Sequence, residues 1–170
     1  MSARMQPHEG RVILLRTDDR FLHLYETVDA MTGQGDVATE DVGFDLFDTE
    51  GHRLTPGFSS DWTVKRLYRS PGEPRPASVC RRLRAWVRHM RAGTKAISDA
   101  DLLTLLRKHL PVVADDAVDV VRRSVRDLPD LADKSLPDCF ELLLEHVTVA
   151  PGTIGGPDHM WQHLNGTAHQ

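Results

Sequence analysis

The sequence predicts an α+β fold: a β-rich amino-terminal part of about four short strands and at most one helix, then a compact four-helix bundle and a short terminal helix. Short apolar runs rich in β-forming residues, divided by glycine, proline and acidic turns, occupy residues 1–69. Apolar residues at intervals of three and four dominate residues 78–150. A proline-rich connector, residues 70–77, separates these parts, and a glycine-rich tail with a short histidine-containing helix covers residues 151–170. A chain of 170 residues is long enough for one domain, or for two small ones that share an interface.

The first predicted element is a buried strand over Arg11–Arg16, a short apolar run with charged ends. Residues 19–32 admit two structures. Apolar side chains at helical spacing over Phe21–Met31 favour a helix, which is the preferred prediction. A strand over Phe21–Val28 is the alternative, because the same residues also alternate in the manner of a strand.

Three further strands complete the predicted β-rich part. Val42–Phe47 and His52–Thr55 flank a turn at Asp48–Gly51, which favours a hairpin. Pro56 and the glycine after it interrupt the pattern. Trp62–Tyr68 then alternates as a half-exposed strand does.

The acidic segment at residues 36–50 invites comparison with a calcium-binding loop. An EF-hand loop needs oxygen ligands at its first, third and fifth positions. A loop that starts at Asp45 places Phe47 third, so the pattern fails. These carboxylates are therefore predicted as solvated turn residues or as internal partners for the arginine stripe of the helix that starts at Ser78.

The helical part begins with a helix over Ser78–Ala92, between Pro76 as its start signal and Gly93 as its stop signal. Its apolar residues recur at helical spacing and predict one buried stripe. They are Val79, Leu83, Trp86, Val87 and Met90.

Three more helices follow at short intervals. Ser98 and Asp101 form a variant of the capping box for the second helix, which Pro111 ends. The third begins after the acidic pair at residues 115–116, and the fourth begins at Ser135. Connections this short favour antiparallel neighbours, hence the prediction of a bundle.

A second stripe on the first helix is cationic and contains no acidic residue. It comprises Arg81, Arg84, Arg88, Arg91 and Lys95, with Arg82 at its flank. No Asp or Glu occurs between Glu73 and Asp99, so nothing within the helix neutralises these charges.

The basic stripe is the candidate partner-binding site, and it predicts a non-catalytic binding or regulatory accessory module. The chain has a net charge of −4, so anion binding has to be local. Few aromatic residues accompany the arginines, which favours an acidic protein surface over nucleic acid as the partner. The competing interpretation is internal: residues 1–75 carry 13 acidic and 9 basic residues and can cover the stripe themselves.

The alternative function is a small metal-dependent enzyme that uses the carboxy-terminal histidines. His159 and His163 lie one helical turn apart, a spacing that can chelate zinc, and His169 can complete the site. The glutamate that serves as general base in zinc proteases is missing from this motif. The sequence also contains no nucleophile elbow, P-loop or G-x-G-x-x-G motif, which favours a non-catalytic protein without excluding catalysis. No cofactor is predicted apart from zinc in this alternative.

Cysteine content and hydropathy predict the compartment. Cys80 and Cys139 are the only cysteines, and both fall beside apolar stripes, which predicts buried free thiols in a reducing compartment. The amino terminus has no apolar signal segment, and no apolar run approaches the length of a membrane span. We therefore expect a cytoplasmic protein; its oligomeric state has no signature in the sequence.

Overall fold

The computed structural model describes residues 6–32, 43–58, 60, 64–110 and 112–147. This part of the chain contains six strands and five helices. The strands are β1 (Pro7–His8), β2 (Val12–Arg16), β3 (Leu22–Tyr25), β4 (Phe44–Phe47), β5 (Arg53–Phe58) and β6 (Val64–Arg69). The helices are α1 (Val28–Thr32), α2 (Pro76–Ala96), α3 (Asp99–His109), α4 (Ala117–Arg126) and α5 (Leu136–Val147).

The six strands form one antiparallel sheet in the order β1-β6-β5-β4-β2-β3. Strand β2 lies between β4 and β3, with Ile13 opposite Phe47 on one side and opposite Leu24 on the other. Every residue of β2 is buried, as a continuous apolar run predicts for a strand covered on both faces.

The two faces of the sheet belong to two different hydrophobic clusters. Alternate residues of β2 and β3, including Ile13 and Leu24, join the inner faces of α2, α3, α4 and α5 in the larger cluster. The residues between them, including Val12 and Leu14, pack with α1 and the other strands in the smaller one. The larger core therefore draws on chain segments from both sides of the 70–77 connector.

The predicted number of strands is wrong, since the sheet has six rather than about four. The helix predicted over Phe21–Met31 is also wrong: β3 occupies its first part, and only the short α1 is helical. The period-two alternation prevails because Leu22 and Leu24 pair with Leu15 and Ile13 of β2 and extend the same buried face. Strand β1 has two residues, too few to show a periodicity.

The predicted self-contained four-helix bundle is likewise wrong. Helix α2 packs against α4 and α5, α3 packs against α4, and α5 also contacts β3. The helices bury their apolar stripes against one face of the sheet, because that face is too wide and too apolar to remain in water. The structure is thus an α+β arrangement of sheet and covering helices. The predicted terminal helix at residues 158–166 lies outside the described residues.

The connector between sheet and helices is held in place by backbone hydrogen bonds. The Ser70 amide donates to the Arg53 carbonyl at 2.8 Å, and the Arg75 amide donates to the Gly51 carbonyl at 2.9 Å. Gly51 has φ +91°, and a Cβ there would lie 2.4 Å from the Pro76 nitrogen. The β4–β5 turn therefore positions the start of α2 through a contact that only glycine permits.

Helix α2 is longer than predicted at both ends, since Pro76 occupies its first turn and Gly93 lies inside it. Among the described residues, no helix is both long enough and apolar enough to cross a bilayer. The division into separate parts at residues 70–77 stays a prediction.

Candidate functional site

Helix α2 is amphipathic, and its inner face anchors it in the larger core. All five apolar residues predicted for the buried stripe are buried, and Trp86 is 2% exposed. The next helix begins at once: the Ser98 hydroxyl accepts a hydrogen bond from the Asp101 amide at 3.1 Å, as the capping pattern predicts. The burial of the apolar stripe fixes which side of α2 faces solvent.

The basic stripe lies on the solvent side of α2. Arg81, Arg88, Arg91 and Lys95 are exposed, and Arg84 is half-buried. From Arg81 to Lys95 the stripe extends for about 21 Å along the helix axis. It therefore offers an elongated cationic surface rather than a point of positive charge.

No ion pair connects the basic stripe to a carboxylate within the part of the chain that the structure describes. Arg91 makes one hydrogen bond, from its guanidinium to the Leu128 carbonyl at 2.7 Å. A carbonyl orients this side chain without neutralising it. The charge of the stripe is thus uncompensated by the chain's own acids among those residues.

Arg82, in contrast to the residues of the stripe, forms ion pairs with carboxylates of the first half of the chain. Its guanidinium donates to Asp19 at 2.6 Å, to Asp45 at 2.8 Å and to the Arg16 carbonyl at 3.1 Å. It also lies 5.5 Å from the centre of the Phe47 ring, within cation–π range. The acidic first half of the chain therefore covers Arg82, which lies on the same side of α2 as His89, about 100° around the helix from Arg81, and binds α2 to the sheet through it.

The two cysteines lie beneath the stripe, between α2 and α5, and both are buried free thiols. Burial raises the pKa of the Cys139 thiol to about 11, and the neighbouring Cys80 adds to the increase, while the positive charge of Arg84 opposes it. Cys80 in turn donates weakly to the Lys134 carbonyl at 3.9 Å. At neutral pH the Cys139 thiol is therefore protonated and adds no negative charge to balance the stripe.

His89 lies on α2 on the side away from the stripe. Burial lowers its pKa, the charge of Arg20 lowers it further, and Asp19 and Asp18 oppose both effects. The imidazole is therefore mostly neutral at pH 7. His89 therefore adds little to the positive charge that the arginines and the lysine give this helix.

One cluster of residue types that can bind metal occurs in the described residues, formed by Asp48, Glu50 and His52 in the β4–β5 turn. Arg69 already occupies it, 3.1 Å from Asp48 and 2.7 Å from Glu50. The second Asp48 oxygen accepts the backbone amides of Glu50 and His52, at 3.0 and 2.9 Å. These contacts stabilise a turn, and we assign the cluster no metal.

The histidines predicted to bind zinc, His159, His163 and His169, lie outside the described residues. Comparison of the chain with protein-family models, with curated proteins and with solved structures finds no match. Functional inference therefore depends on the surface of α2.

Sequence reasoning missed the separate role of Arg82 and the acidic turn bound by Arg69. Both arise from side chains far apart in sequence, such as Asp19 and Asp45 around Arg82. The available signal was the position of the two acids that bind Arg82: Asp19 lies in the turn after β2, and Asp45 lies within β4, the neighbour of β2. Without the strand order, that signal does not identify a partner.

Proposed function

We propose that this protein is a non-catalytic binding or regulatory accessory module that engages an acidic surface of a partner protein through the basic stripe of α2. The observation that supports the proposal is the contrast within one helix. Arg82 is covered by the chain's own carboxylates, whereas the stripe beside it meets none in the described part of the chain.

A cationic surface that meets no carboxylate among the described residues favours anionic ligands. Each exposed ion pair contributes about 0.2–1 kcal/mol, so five of them act as a set rather than singly. Arginine adds paired hydrogen bonds to carboxylates, which lysine cannot match. Binding of this kind is modest in strength and sensitive to salt.

Charge and composition favour a protein over nucleic acid as the partner. The stripe contains no aromatic side chain on which a base can stack. The chain carries a net charge of −4, which repels a polyanion beyond the immediate contact. An acidic segment of a protein can be short enough to contact only the stripe, without extending over the negatively charged rest of the chain.

The test is binding of a fluorescein-labelled oligoglutamate peptide, measured by fluorescence anisotropy at low and high salt. The stripe variant is Arg84→Glu with Arg88→Glu. The matched control is Arg123→Glu with Arg126→Glu, which makes the same change of charge at exposed positions on α4. Circular dichroism checks that both variants are folded.

We expect the stripe variant to lose about tenfold or more in affinity at low salt, and the control to lose about threefold or less. Affinity of the wild type should fall steeply as salt rises. Equal losses in the two variants would show that net charge alone matters and would overturn the proposal. Preference for a DNA duplex of equal charge over the peptide would overturn the choice of partner.

A further inference from the structure

The cations of the basic stripe follow a heptad spacing. Arg81, Arg84, Arg88, Arg91 and Lys95 are separated by steps of three, four, three and four residues. This 3.5-residue period is the one that keeps a seam facing a second helix as the two wrap around each other. Side chains on one face of a helix have these steps, so the spacing gives the positions that a partner's carboxylates have to match.

We infer that the partner presents an acidic α-helix whose carboxylates repeat with the same spacing, and that this helix lies along α2 over the basic stripe. The inference rests on the proposed function and specifies its partner. Its basis is the register of the charges, the exposure of four of the five and the small residues beside them.

The rise between successive cations distinguishes a helical partner from an extended one. Steps of three and four residues correspond to about 4.5 and 6 Å along the α2 axis. A partner helix with the same steps matches every cation. Alternate side chains of a strand rise by about 6.8 Å, so over four steps an extended partner falls about 6 Å out of register.

Small residues beside the stripe allow a second helix to come close. Ala85 and Ala92 lie along its outer edge, seven residues apart, and Ala92 is exposed. Alanine at these positions permits axial distances near the lower end of the usual range of about 8–10 Å. The arginine side chains can then extend across the contact to carboxylates on the facing helix.

The test uses two labelled peptides of identical composition, rich in alanine and glutamine and each with five glutamates. In the matched peptide the glutamates follow the 3-4-3-4 spacing; in the scrambled peptide they are spread around the helix circumference. Anisotropy gives the affinities, and circular dichroism gives the helicity of each peptide, free and bound. A third probe is the oligoglutamate used above.

We expect the matched peptide to bind about tenfold more tightly than the scrambled one and to gain helicity on binding. Replacing Ala92 with Trp should weaken the matched peptide by about tenfold, because it blocks close approach, and should leave oligoglutamate within about twofold. Equal affinity of the two peptides would overturn the inference while leaving the proposed function intact. Failure of all three acidic peptides to bind would overturn both.

Discussion

Arg82 and Arg88 lie on the same helix, carry the same charge and have opposite surroundings. Arg82 meets two carboxylates and a ring face from the sheet, whereas Arg88 extends into solvent. Helical periodicity in the sequence placed both on or near the cationic side of α2. It could not separate them, because the difference comes from Asp19 and Asp45, whose positions depend on the order of the strands.

Replacing Arg82 with Met should destabilise the fold by about 2 kcal/mol, between the values for an exposed pair and for a buried one. The loss arises because Asp19 and Asp45, both mostly buried, would face each other without a cation. Urea unfolding monitored by circular dichroism measures it. Arg88→Met is the matched control and should change stability by less than about 0.5 kcal/mol. Equal effects of the two substitutions would contradict the distinction between them.

The raised pKa of the Cys139 thiol predicts that the protein loses stability at alkaline pH. Its pKa is about 11 in the folded protein against 9.0 for the unperturbed group, chiefly because it is buried. The folded state therefore holds a proton that the unfolded state releases, so the stabilisation is complete below pH 9 and disappears as the pH rises towards 11. The urea midpoint of the wild type should fall over that range.

Cys139→Ala serves as the control for this titration, because other groups also titrate above pH 9. The variant starts from a lower stability, since it leaves a small cavity, but its midpoint should fall less steeply with pH. The difference between the two slopes isolates the thiol. Parallel slopes would show that Cys139 does not titrate differently in the two states.

At the scale of elements, the joint between the β4–β5 turn and α2 depends on Gly51. Gly51→Ala combines a positive φ of +91° with a Cβ only 2.4 Å from the Pro76 backbone nitrogen. Gly72→Ala is the control, since its φ is +122° but nothing lies within 4 Å of the added carbon. We expect losses of about 3 kcal/mol for Gly51→Ala and about 1 kcal/mol for Gly72→Ala in urea unfolding. Similar losses would mean that backbone conformation alone accounts for the requirement.

Elements with a single dominant period were predictable, and elements with two were not. Helix α2 combines an apolar stripe with flanking proline, and its inner face is the one predicted. Residues 21–28 fit a strand period as well as the helical period that was preferred for residues 21–31, and pairing with β2 selects the strand. Strand β5 passes through Pro56 and Gly57, two residues that predict an interruption, because an irregularity at Gly57 and Phe58 accommodates them.

For the whole molecule, the sequence predicts the two kinds of secondary structure but not how they combine. Local patterns show that each helix has an apolar stripe, and a bundle is the simplest way to bury such stripes. Packing against the apolar face of β2 and β3 is another way to bury the helix stripes. Contacts between residues far apart in the chain decide between the bundle and this arrangement. The basic stripe was predictable as a pattern for the opposite reason, since it lies within one helix.

The shared core predicts that sheet and helices unfold together. Leu83 of α2 is fully buried in the larger cluster with Ile13 of β2 and Leu24 of β3. Leu83→Ala should cost about 2–5 kcal/mol. In hydrogen exchange, the amides of β2 and β3 should lose as much protection as those of α2, because one cooperative unit contains them all.

Leu14→Ala is the control from the opposite face of β2. Leu14 is buried in the smaller cluster and touches the helical layer only through the strand that carries it. The Leu14→Ala substitution should lower the protection of the helices and of the sheet by the same amount, since β2 belongs to both cores.

If Leu83→Ala instead exposed the amides of α2 and α5 while β2 kept its protection, residues 70–77 would separate two independent units. The basic stripe would then belong to a helical unit that could open without disturbing the sheet, and the ion pairs of Arg82 and of Arg11 with Glu141 would be among the contacts that link the two.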